Sequence, residues 1–169
     1  LTVQVFADFG EAVEANPKKM FSINKGTTNR FHDLANIDVE RDGGRPVVNI
    51  FRGTPYPFPL TIRMMENHPL GSQFFMPLDP FDYLVAVAEA KTTVMPEDVL
   101  VFSCCHKQGV NFKPGVWHHP LLVLAEQQDF LVIDRAGAGE NLVEQDLASP
   151  IMVDPVSYTH LRAHETMAH

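Results

Sequence analysis

The sequence predicts an all-β protein with a single domain of antiparallel strands, built as a barrel or a sandwich. Short apolar or alternating runs recur along the chain, each bounded by glycine, proline or aspartate. Helical periodicity is almost absent, so only minor short helices are expected. A length of 169 residues suits one domain with a substantial core. We therefore expect residues 1–155 to form one β domain.

One short helix and a series of strands account for this domain. Thr2 is suited to cap an amphipathic helix that uses Val5, Phe6 and Phe9 and stops at Gly10. Residues 21–26 and 30–34 alternate apolar and polar side chains, as half-buried strands do. A charged Gly-Gly turn at 41–45 and a proline-rich stretch at 54–59 flank the next strand. The later strands are predicted at residues 47–52, 60–65, 73–76, 83–88, 99–103, 121–124, 130–133 and 151–153.

The last residues, 156–169, break the strand pattern. The run Y-T-H-L-R-A-H-E-T-M-A-H is polar and contains three of the eight histidines. Such a tail can bind metal, but the sequence is also typical of adapter or read-through sequence. We expect this tail to be non-native or disordered and leave it out of the functional interpretation.

Composition and charge exclude several functions. A formal net charge of −8 gives no basic surface for nucleic acid. No apolar run approaches the roughly 18 residues of a membrane span, and no charged-then-apolar leader is present, so we expect a cytoplasmic protein. The adjacent Cys104 and Cys105 are expected to be reduced thiols, because a bridge between neighbours is strained.

A turn followed by two histidines is the most informative stretch. Residues 109–120 read G-V-N-F-K-P-G-V-W-H-H-P, and an apolar strand follows. Neighbours in a strand point to opposite faces, so we expect only one of His118 and His119 to face inward, and the spacing favours His118. P-G-x-x-H before an apolar strand resembles the second motif of the cupins, which implies a cupin-like antiparallel β-barrel of the jelly-roll type. The alternative is a hairpin that carries a surface histidine pair.

A second stretch, residues 65–77, carries candidate metal ligands. A metal-binding cupin has two histidines one residue apart and then a glutamate four or five positions later. Glu66, His68 and Gln73 fall at that spacing here, and His118 supplies the partner from the other motif. Nitrogen and oxygen donors suit Ni²⁺, Mn²⁺, Fe²⁺ or Zn²⁺, although an amide is a weak ligand. The alternative is an exposed Glu66 and a His68 that only holds a turn before Pro69.

Longer runs resemble one family within the cupins. H-P-L-G-S-Q-F-F-M-P-L, G-V-N-F with G-V-W-H-H-P-L, D-F-L-V-I-D-R and F-S-I-N-K-G-T-T-N-R-F-H-D-L together are similar to ureidoglycolate lyase, often called ureidoglycolate hydrolase. The similarity extends from Leu1 to Val153. It implies cleavage of (S)-ureidoglycolate to glyoxylate and urea, late in allantoin and purine degradation. It also implies stimulation by Ni²⁺ or another divalent metal, and no organic cofactor.

The implied chemistry assigns roles to particular residues. Elimination of urea needs a base, an acid and a cationic partner for the carboxylate. His68 and His118 are acid–base candidates or metal ligands. For the carboxylate we favour Arg52, because its guanidinium matches a carboxylate bidentately; Lys25 and Arg30 are alternatives. The predicted catalytic residues are thus His68, His118, Gln73 and Arg52, and the candidate metal ligands are His68, Gln73, His118 and Glu66.

The remaining predictions concern substrate contacts, assembly and alternative functions. Asn24, Lys25 and Asn111 are candidate substrate-binding residues, and Trp117 is expected either to wall the pocket or to belong to the core. The family resemblance and the apolar, proline-broken segments 55–59 and 74–78 favour a homodimer. Two other functions stay open: a non-catalytic cupin that binds a small carboxylate, and another metal-dependent cupin enzyme.

Overall fold

A computed structural model describes residues 1–57 and 59–154 of the chain, so the predicted tail at 156–169 lies outside the described residues. One α-helix and four 3-10 turns occur in the described part. They are α1 (Val3–Phe6) and the turns Pro17–Lys19, Asn24–Gly26, Arg41–Gly43 and Pro96–Asp98. The strands are β1 (Gly10–Val13), β2 (Met20–Ile23), β3 (Thr28–Phe31), β4 (Arg45–Gly53), β5 (Leu60–Asn67), β6 (Gln73–Pro77), β7 (Tyr83–Ala88), β8 (Leu100–Cys104), β9 (Gly109–Phe112), β10 (Trp117–His118), β11 (Leu122–Val123), β12 (Gln128–Ala136) and β13 (Val143–Val153).

The helix forms where the sequence predicts it and is short. The Thr2 hydroxyl accepts a hydrogen bond from the backbone N–H of Val5, so Thr2 is the N-cap. Phe6 and Phe9 are both buried, as an amphipathic segment requires. Among the described residues, no helix has the length and apolar character needed to cross a bilayer.

Antiparallel pairing divides most strands between two sheets. One has five strands in the order β1-β9-β6-β12-β4, and the other has six, in the order β11-β7-β10-β5-β13 with β8 paired to β7. Phe75, Val110 and Phe130 from the first sheet share a buried cluster with Tyr83 and Val85 from the second, so the two sheets face each other across a core. The predicted all-β arrangement with antiparallel strands is confirmed.

The central strand β7 is buried on both of its faces, because every one of its residues is inaccessible to solvent. A second apolar cluster covers the face of the six-stranded sheet that turns away from the other sheet. It contains Leu84, Ile62, Met65 and Trp117. Consecutive residues of a strand alternate between these two sides, so Trp117 and His118 belong to different environments.

Several boundaries differ from the prediction, because pairing rather than local pattern sets them. β1 was not predicted; it forms because Gly10 to Val13 pair with β9. The strand expected at 21–26 ends at Ile23, since Asn24 and Lys25 adopt left-handed backbone angles in the turn to β3. β12 and β13 extend beyond the expected strands because each has a long antiparallel partner, β4 and β5 respectively.

Candidate active site

The two predicted motifs meet where β10 pairs with β5. His118 lies opposite Glu66 in the antiparallel register, and His68 follows β5 directly. Gln73 opens β6 in the facing sheet. The register of short strands therefore brings together four side chains that come from separate parts of the sequence.

The side chains of these residues form a compact cluster. Nε2 of His118 lies 3.7 Å from Oε1 of Glu66, and the rings of His68 and His118 have centroids 5.1 Å apart. Nε2 of His68 lies 3.1 Å from Oε1 of Gln73. One donor atom from each of Glu66, His68 and His118 lies within 4.8 Å of the others, so these residues could hold a metal ion.

His118 presents an unpartnered nitrogen to this cluster. Its Nδ1 lies 3.1 Å from the Val116 carbonyl and therefore carries the proton, and its ring stacks on Phe112 with centroids 4.6 Å apart. Nε2 is buried and has no hydrogen-bond partner among the described residues. Burial, followed by the proximity of His68, lowers the pKa of His118 to about 3. Nε2 therefore offers a permanent lone pair at neutral pH.

His68 points a second acceptor into the cluster. Its Nδ1 lies 2.7 Å from the Asn141 carbonyl and donates to it, while the Asn141 side-chain oxygen accepts from the N–H of Leu70. Nε2 of a neutral His68 then faces Oε1 of Gln73, and two acceptors at this distance require a proton or a cation. Together with the lone pair of His118, this arrangement fits a divalent cation.

Glu66 completes the acidic side of the cluster. Burial raises the pKa of its carboxyl; His68 opposes this shift, and Glu144 adds to it. A carboxylate that is partly removed from water gains more from a nearby cation than an exposed one does. The raised pKa of Glu66 is thus consistent with a site that is completed by positive charge.

Glu66, Gln73 and His118 of this cluster line a cavity of about 490 Å³. Its apolar wall includes Phe75, Val85 and Phe112, and its rim is formed by the segment from Phe51 to Pro57. The polar lining consists of Arg52, Thr54, Tyr56, Glu66, Gln73, His118 and His119. Such a cavity, apolar with a few converging polar groups, is the kind that binds a small molecule.

Both neighbouring histidines line the cavity, so the expectation that only one of them faces inward is wrong. β10 ends at His118, and the chain then turns at Pro120 instead of continuing the alternation. His119 is 8% exposed, and its ring meets Tyr56 edge-on with centroids 5.2 Å apart. Its Nδ1 donates to the Pro120 carbonyl at 2.9 Å, which leaves Nε2 as an acceptor. Burial lowers the pKa of His119.

Arg52 lies at the cavity rim and already has a partner. Its Nε and Nη2 donate to the two carboxylate oxygens of Asp129, at 2.8 and 3.0 Å. This ion pair raises the pKa of Arg52 and lowers that of Asp129. The Arg52 side chain is 65% exposed, so solvent screens the pair and its contribution to stability is small.

The structure does not bring the other predicted substrate contacts to this cavity. Asn111 points away from it: its amide donates to Glu11 and to the Asn36 carbonyl, at 2.9 and 2.8 Å. Trp117 is buried in the apolar cluster behind the sheet and donates to the Lys91 carbonyl. Asn24 and Lys25 are exposed at the tip of the β2–β3 hairpin.

Tyr56, Asp134 and Asn141 contribute to the site but were not predicted as site residues. Tyr56 lies between the cavity and a second hollow of about 400 Å³. Asp134 and Asn141 hydrogen-bond to Gln73 and His68 respectively. The proline-rich context of Tyr56 was a local signal of a loop, whereas the contacts of Asp134 and Asn141 depend on pairing between distant strands.

Comparison with known proteins identifies the family. The sequence model described as ureidoglycolate lyase matches residues 1–154. The chain belongs to the ureidoglycolate lyase family. A ureidoglycolate lyase of Burkholderia mallei is 51% identical over 147 residues, which are 87% of this chain and 86% of that protein. One from Rhizobium leguminosarum bv. trifolii is 47% identical and covers 90% of this chain and 92% of its own. The predicted family and the predicted lyase activity are confirmed.

Two solved structures align with this chain at low sequence identity. RmlC from Streptococcus suis, in complex with dTDP-D-xylose, aligns with a TM-score of 0.47 and 10% identity over 78% of this chain and 73% of its own. Oxalate decarboxylase from Bacillus subtilis aligns with a TM-score of 0.37 and 9% identity, over 76% of this chain and 30% of its own. The assignment to the ureidoglycolate lyase family rests on the sequence comparisons alone.

Proposed function

We propose that the cavity binds ureidoglycolate and cleaves its carbon–nitrogen bond at the cluster of Glu66, His68, Gln73 and His118, with a divalent cation held by these four residues. The observation that supports this most is the buried, unpartnered Nε2 of His118 beside a glutamate and a second histidine. A neutral imidazole with a pKa of about 3 is suited to ligation and not to proton donation at neutral pH. The alternative is that His68 and His118 transfer protons themselves.

The reaction places defined demands on the site. The substrate carbon carries a hydroxyl, a carboxylate and a urea nitrogen. The hydroxyl loses its proton, its oxygen forms the aldehyde carbonyl of glyoxylate, the carbon–nitrogen bond breaks, and the nitrogen takes up a proton to give urea. A bound divalent cation would polarise the hydroxyl and lower its pKa. No oxidant, reductant or covalent nucleophile is needed.

His119 is the proton carrier in this proposal. Its Nδ1–H is committed to the Pro120 carbonyl, so Nε2 is the nitrogen that accepts the hydroxyl proton. Burial lowers its pKa and favours the neutral ring, whose Nε2 lone pair can accept a proton. The edge-on contact with Tyr56 restrains the ring plane. The imidazolium formed in the first step then returns the proton to the leaving nitrogen.

Arg52 orients the substrate through its carboxylate. Asp129 uses Nε and Nη2, so Nη1 is available to the substrate at the cavity rim. The Asp129 pair also holds the guanidinium in place before substrate arrives, which reduces the ordering cost of binding. The same charge attracts the anionic substrate and fixes the reacting carbon relative to His119.

Turnover by the purified protein tests the proposal. Each enantiomer of ureidoglycolate is supplied separately, and glyoxylate and urea are quantified with and without added Ni²⁺. We expect equimolar products from the (S) enantiomer and a faster rate with the metal. Tight binding of the substrate without product would instead indicate a non-catalytic carboxylate-binding protein.

We also propose that the enzyme is a cytoplasmic homodimer of allantoin and purine degradation. β4 is an edge strand of the five-stranded sheet, and its Val48 and Ile50 are 68% and 63% exposed, which favours burial against a second copy. Cys104 and Cys105 are not joined in a disulfide, which favours a reducing compartment. Light scattering should give twice the mass of one chain, and Val48→Asp should shift the protein toward the monomer. A monomeric wild-type protein at working concentration would contradict the dimer.

A further inference from the structure

A line of hydrogen bonds runs from the edge of the five-stranded sheet to the cluster. Nδ2 of Asn49 on β4 donates to Oδ1 of Asp134 on β12, at 3.0 Å. Oδ2 of Asp134 accepts from Nε2 of Gln73 on β6, at 3.2 Å. Oε1 of Gln73 lies 3.1 Å from Nε2 of His68. Asp134 thus has one donor on each oxygen, and one of them is the side chain that faces the cluster.

The sheet places these side chains side by side. β12 lies between β6 and β4. Its antiparallel pairing with β6 reaches Ile133 opposite Phe74, and the next residues along the two strands are Asp134 and Gln73. Side chains next to each other across paired strands are close enough for direct hydrogen bonds. The contact between Asp134 and Gln73 is therefore built into the strand register.

We propose that Asp134, itself held by Asn49, is a positioning residue that fixes the Gln73 amide with its oxygen toward His68 and the cluster. The two ends of an amide have nearly the same shape, and only hydrogen bonding distinguishes them. A carboxylate accepts and does not donate, so it can face only the NH₂ end. The oxygen must then face the cluster.

The direction of the amide decides what the site can bind. If the amide were reversed, its NH₂ would satisfy Nε2 of a neutral His68, and no cation would be needed there. Asp134 prevents this, because a hydrogen bond to a charged acceptor is stronger than one to a neutral ring. With the oxygen inward, Gln73 and His68 form a pair of acceptors that is suited to a cation. The link to catalysis rests on the proposed function, whereas the direction of the amide does not.

An exchange of substitutions tests this directly. In Asp134→Asn, Asn49 still donates to the new side chain's oxygen, which turns its NH₂ toward Gln73 and reverses the Gln73 amide. In the double variant Asn49→Asp with Asp134→Asn, the new carboxylate at position 49 accepts a hydrogen bond from the NH₂ group of the side chain at position 134. The oxygen at position 134 then faces Gln73 and restores its direction. Neither substituted residue lines the cavity.

Two measurements follow the direction of the amide. NMR on the metal-free protein reports whether the Gln73 amide protons show cross-relaxation with the His68 ring protons beside Nε2. We expect this signal in Asp134→Asn and its absence in the wild type and the double variant. Calorimetry with Ni²⁺ should show that Asp134→Asn reduces the affinity about 10- to 100-fold, as is typical when the hydrogen-bond partner of a metal ligand is removed. The double variant should recover the affinity of the wild type.

Asp146→Asn is the matched control, because Asp146 is an exposed aspartate on strand β13; it should behave as the wild type in both measurements. If Asp134→Asn shows no new amide signal and retains wild-type Ni²⁺ affinity, the inference is wrong. A loss of affinity that the double variant does not recover would likewise contradict it, since Asp134 would then act only on stability. If the wild type fails to cleave ureidoglycolate while the amide signals behave as expected, the proposed function fails and the positioning role stands.

Discussion

At the scale of single residues, burial determines what each histidine of the site can do. His118 is enclosed, stacks on Phe112 and has one ring nitrogen committed to a backbone carbonyl. His68 is only partly buried and is held through Asn141. Nδ1 of the exposed His106 lies 3.8 Å from Oδ1 of Asp82. The same residue type therefore serves as a neutral ligand candidate in one place and as an exposed surface side chain in another.

The stability of the metal-free protein should depend on pH through His118. Its pKa is 6.5 when unfolded and about 3 when folded, so between these values the unfolded state binds the additional proton. The free energy of unfolding therefore falls as the pH drops from 6.5 toward 3, by up to about 1.4 kcal/mol per pH unit from this group. His119 acts in the same direction, because burial lowers its pKa too. Glu66 acts in the opposite direction, because its pKa is higher in the folded state than the 4.5 of the unfolded state. Its contribution to the free energy of unfolding is therefore lost as the pH rises from 4.5 through the folded-state pKa.

Urea denaturation across this pH range, in the presence of a chelator, measures the effect. His118→Phe keeps the stacking ring but does not titrate, so its stability should vary less with pH than that of the wild type. His106→Ala serves as the control for loss of an exposed histidine. Identical pH profiles for His118→Phe and the wild type would show that His118 is not the titrating group.

Alanine substitutions should separate the ligand from the proton carrier. His118→Ala should abolish Ni²⁺ binding and reduce kcat about 10²-fold or more. His119→Ala should reduce kcat by a similar factor but keep the affinity for Ni²⁺, because His119 lies outside the cluster of donor atoms. His106→Ala should change neither. Mild losses in both cavity variants would show that neither residue carries the chemistry.

Arg52→Lys tests the geometry of carboxylate binding. Lysine keeps the charge but cannot bind Asp129 through two nitrogens and the substrate through a third. We expect KM to rise and kcat to fall, since the reacting carbon is less well placed. Arg45→Lys, on the same strand but at its other end, is the control in steady-state kinetics. Unchanged KM in Arg52→Lys would assign the carboxylate to another group.

At the scale of elements, the length of β10 explains both the correct and the incorrect predictions about its histidines. Within the strand, Trp117 and His118 alternate as expected, one toward the apolar cluster and the other toward the cavity. After His118 the strand ends, and the backbone N–H of His119 bonds to the Ala86 carbonyl. Alternation predicts side-chain direction only as far as the strand continues, so it does not predict the direction of His119.

Substitution of Gly10, the first residue of β1, tests the close contact between β1 and β9. Its φ is +148°, and a Cβ at this position would collide with the Asn111 carbonyl on β9. Gly10→Ala should therefore lower the free energy of unfolding by at least about 3 kcal/mol. At Gly43 φ is +74° and no atom lies near the position of an added Cβ, so a substitution there tests backbone strain without a steric clash. Gly43→Ala should lower the free energy of unfolding by only about 1 kcal/mol. Equal losses in chemical denaturation would mean that the β1–β9 contact is not tightly packed.

At the scale of the whole molecule, the fold should not depend on the metal. One apolar cluster joins the two sheets and the other covers the far face of the six-stranded sheet, whereas the candidate ligands lie at one end of β5 and β10. A site of two histidines and oxygen donors also binds less firmly than a structural thiolate site. Chelation should therefore lower activity strongly and the Tm only slightly, and readdition of Ni²⁺ should recover the rate. Unfolding on chelation would contradict this.

The sequence by itself determined the fold class and the family. Turn residues between short apolar runs predicted strands, because glycine and proline act on the backbone locally. The motifs around His68 and His118 identified residues that pairing then brought together. Turn residues act on the nearby backbone, and the family motifs occur in a fixed order along the chain. Both can therefore be recognised in the sequence alone.

Only the tertiary structure decided which side chains share the cavity. Asn111 and Trp117 lie within or beside the recognised motif, yet their hydrogen bonds are to Glu11 and Lys91, across other elements. The link between Asp134 and Gln73 likewise depends on which strands are neighbours in a sheet. Such contacts join residues far apart in the chain, and no local propensity encodes them. Strand order and register encode them, and these are set by the packing of the whole domain.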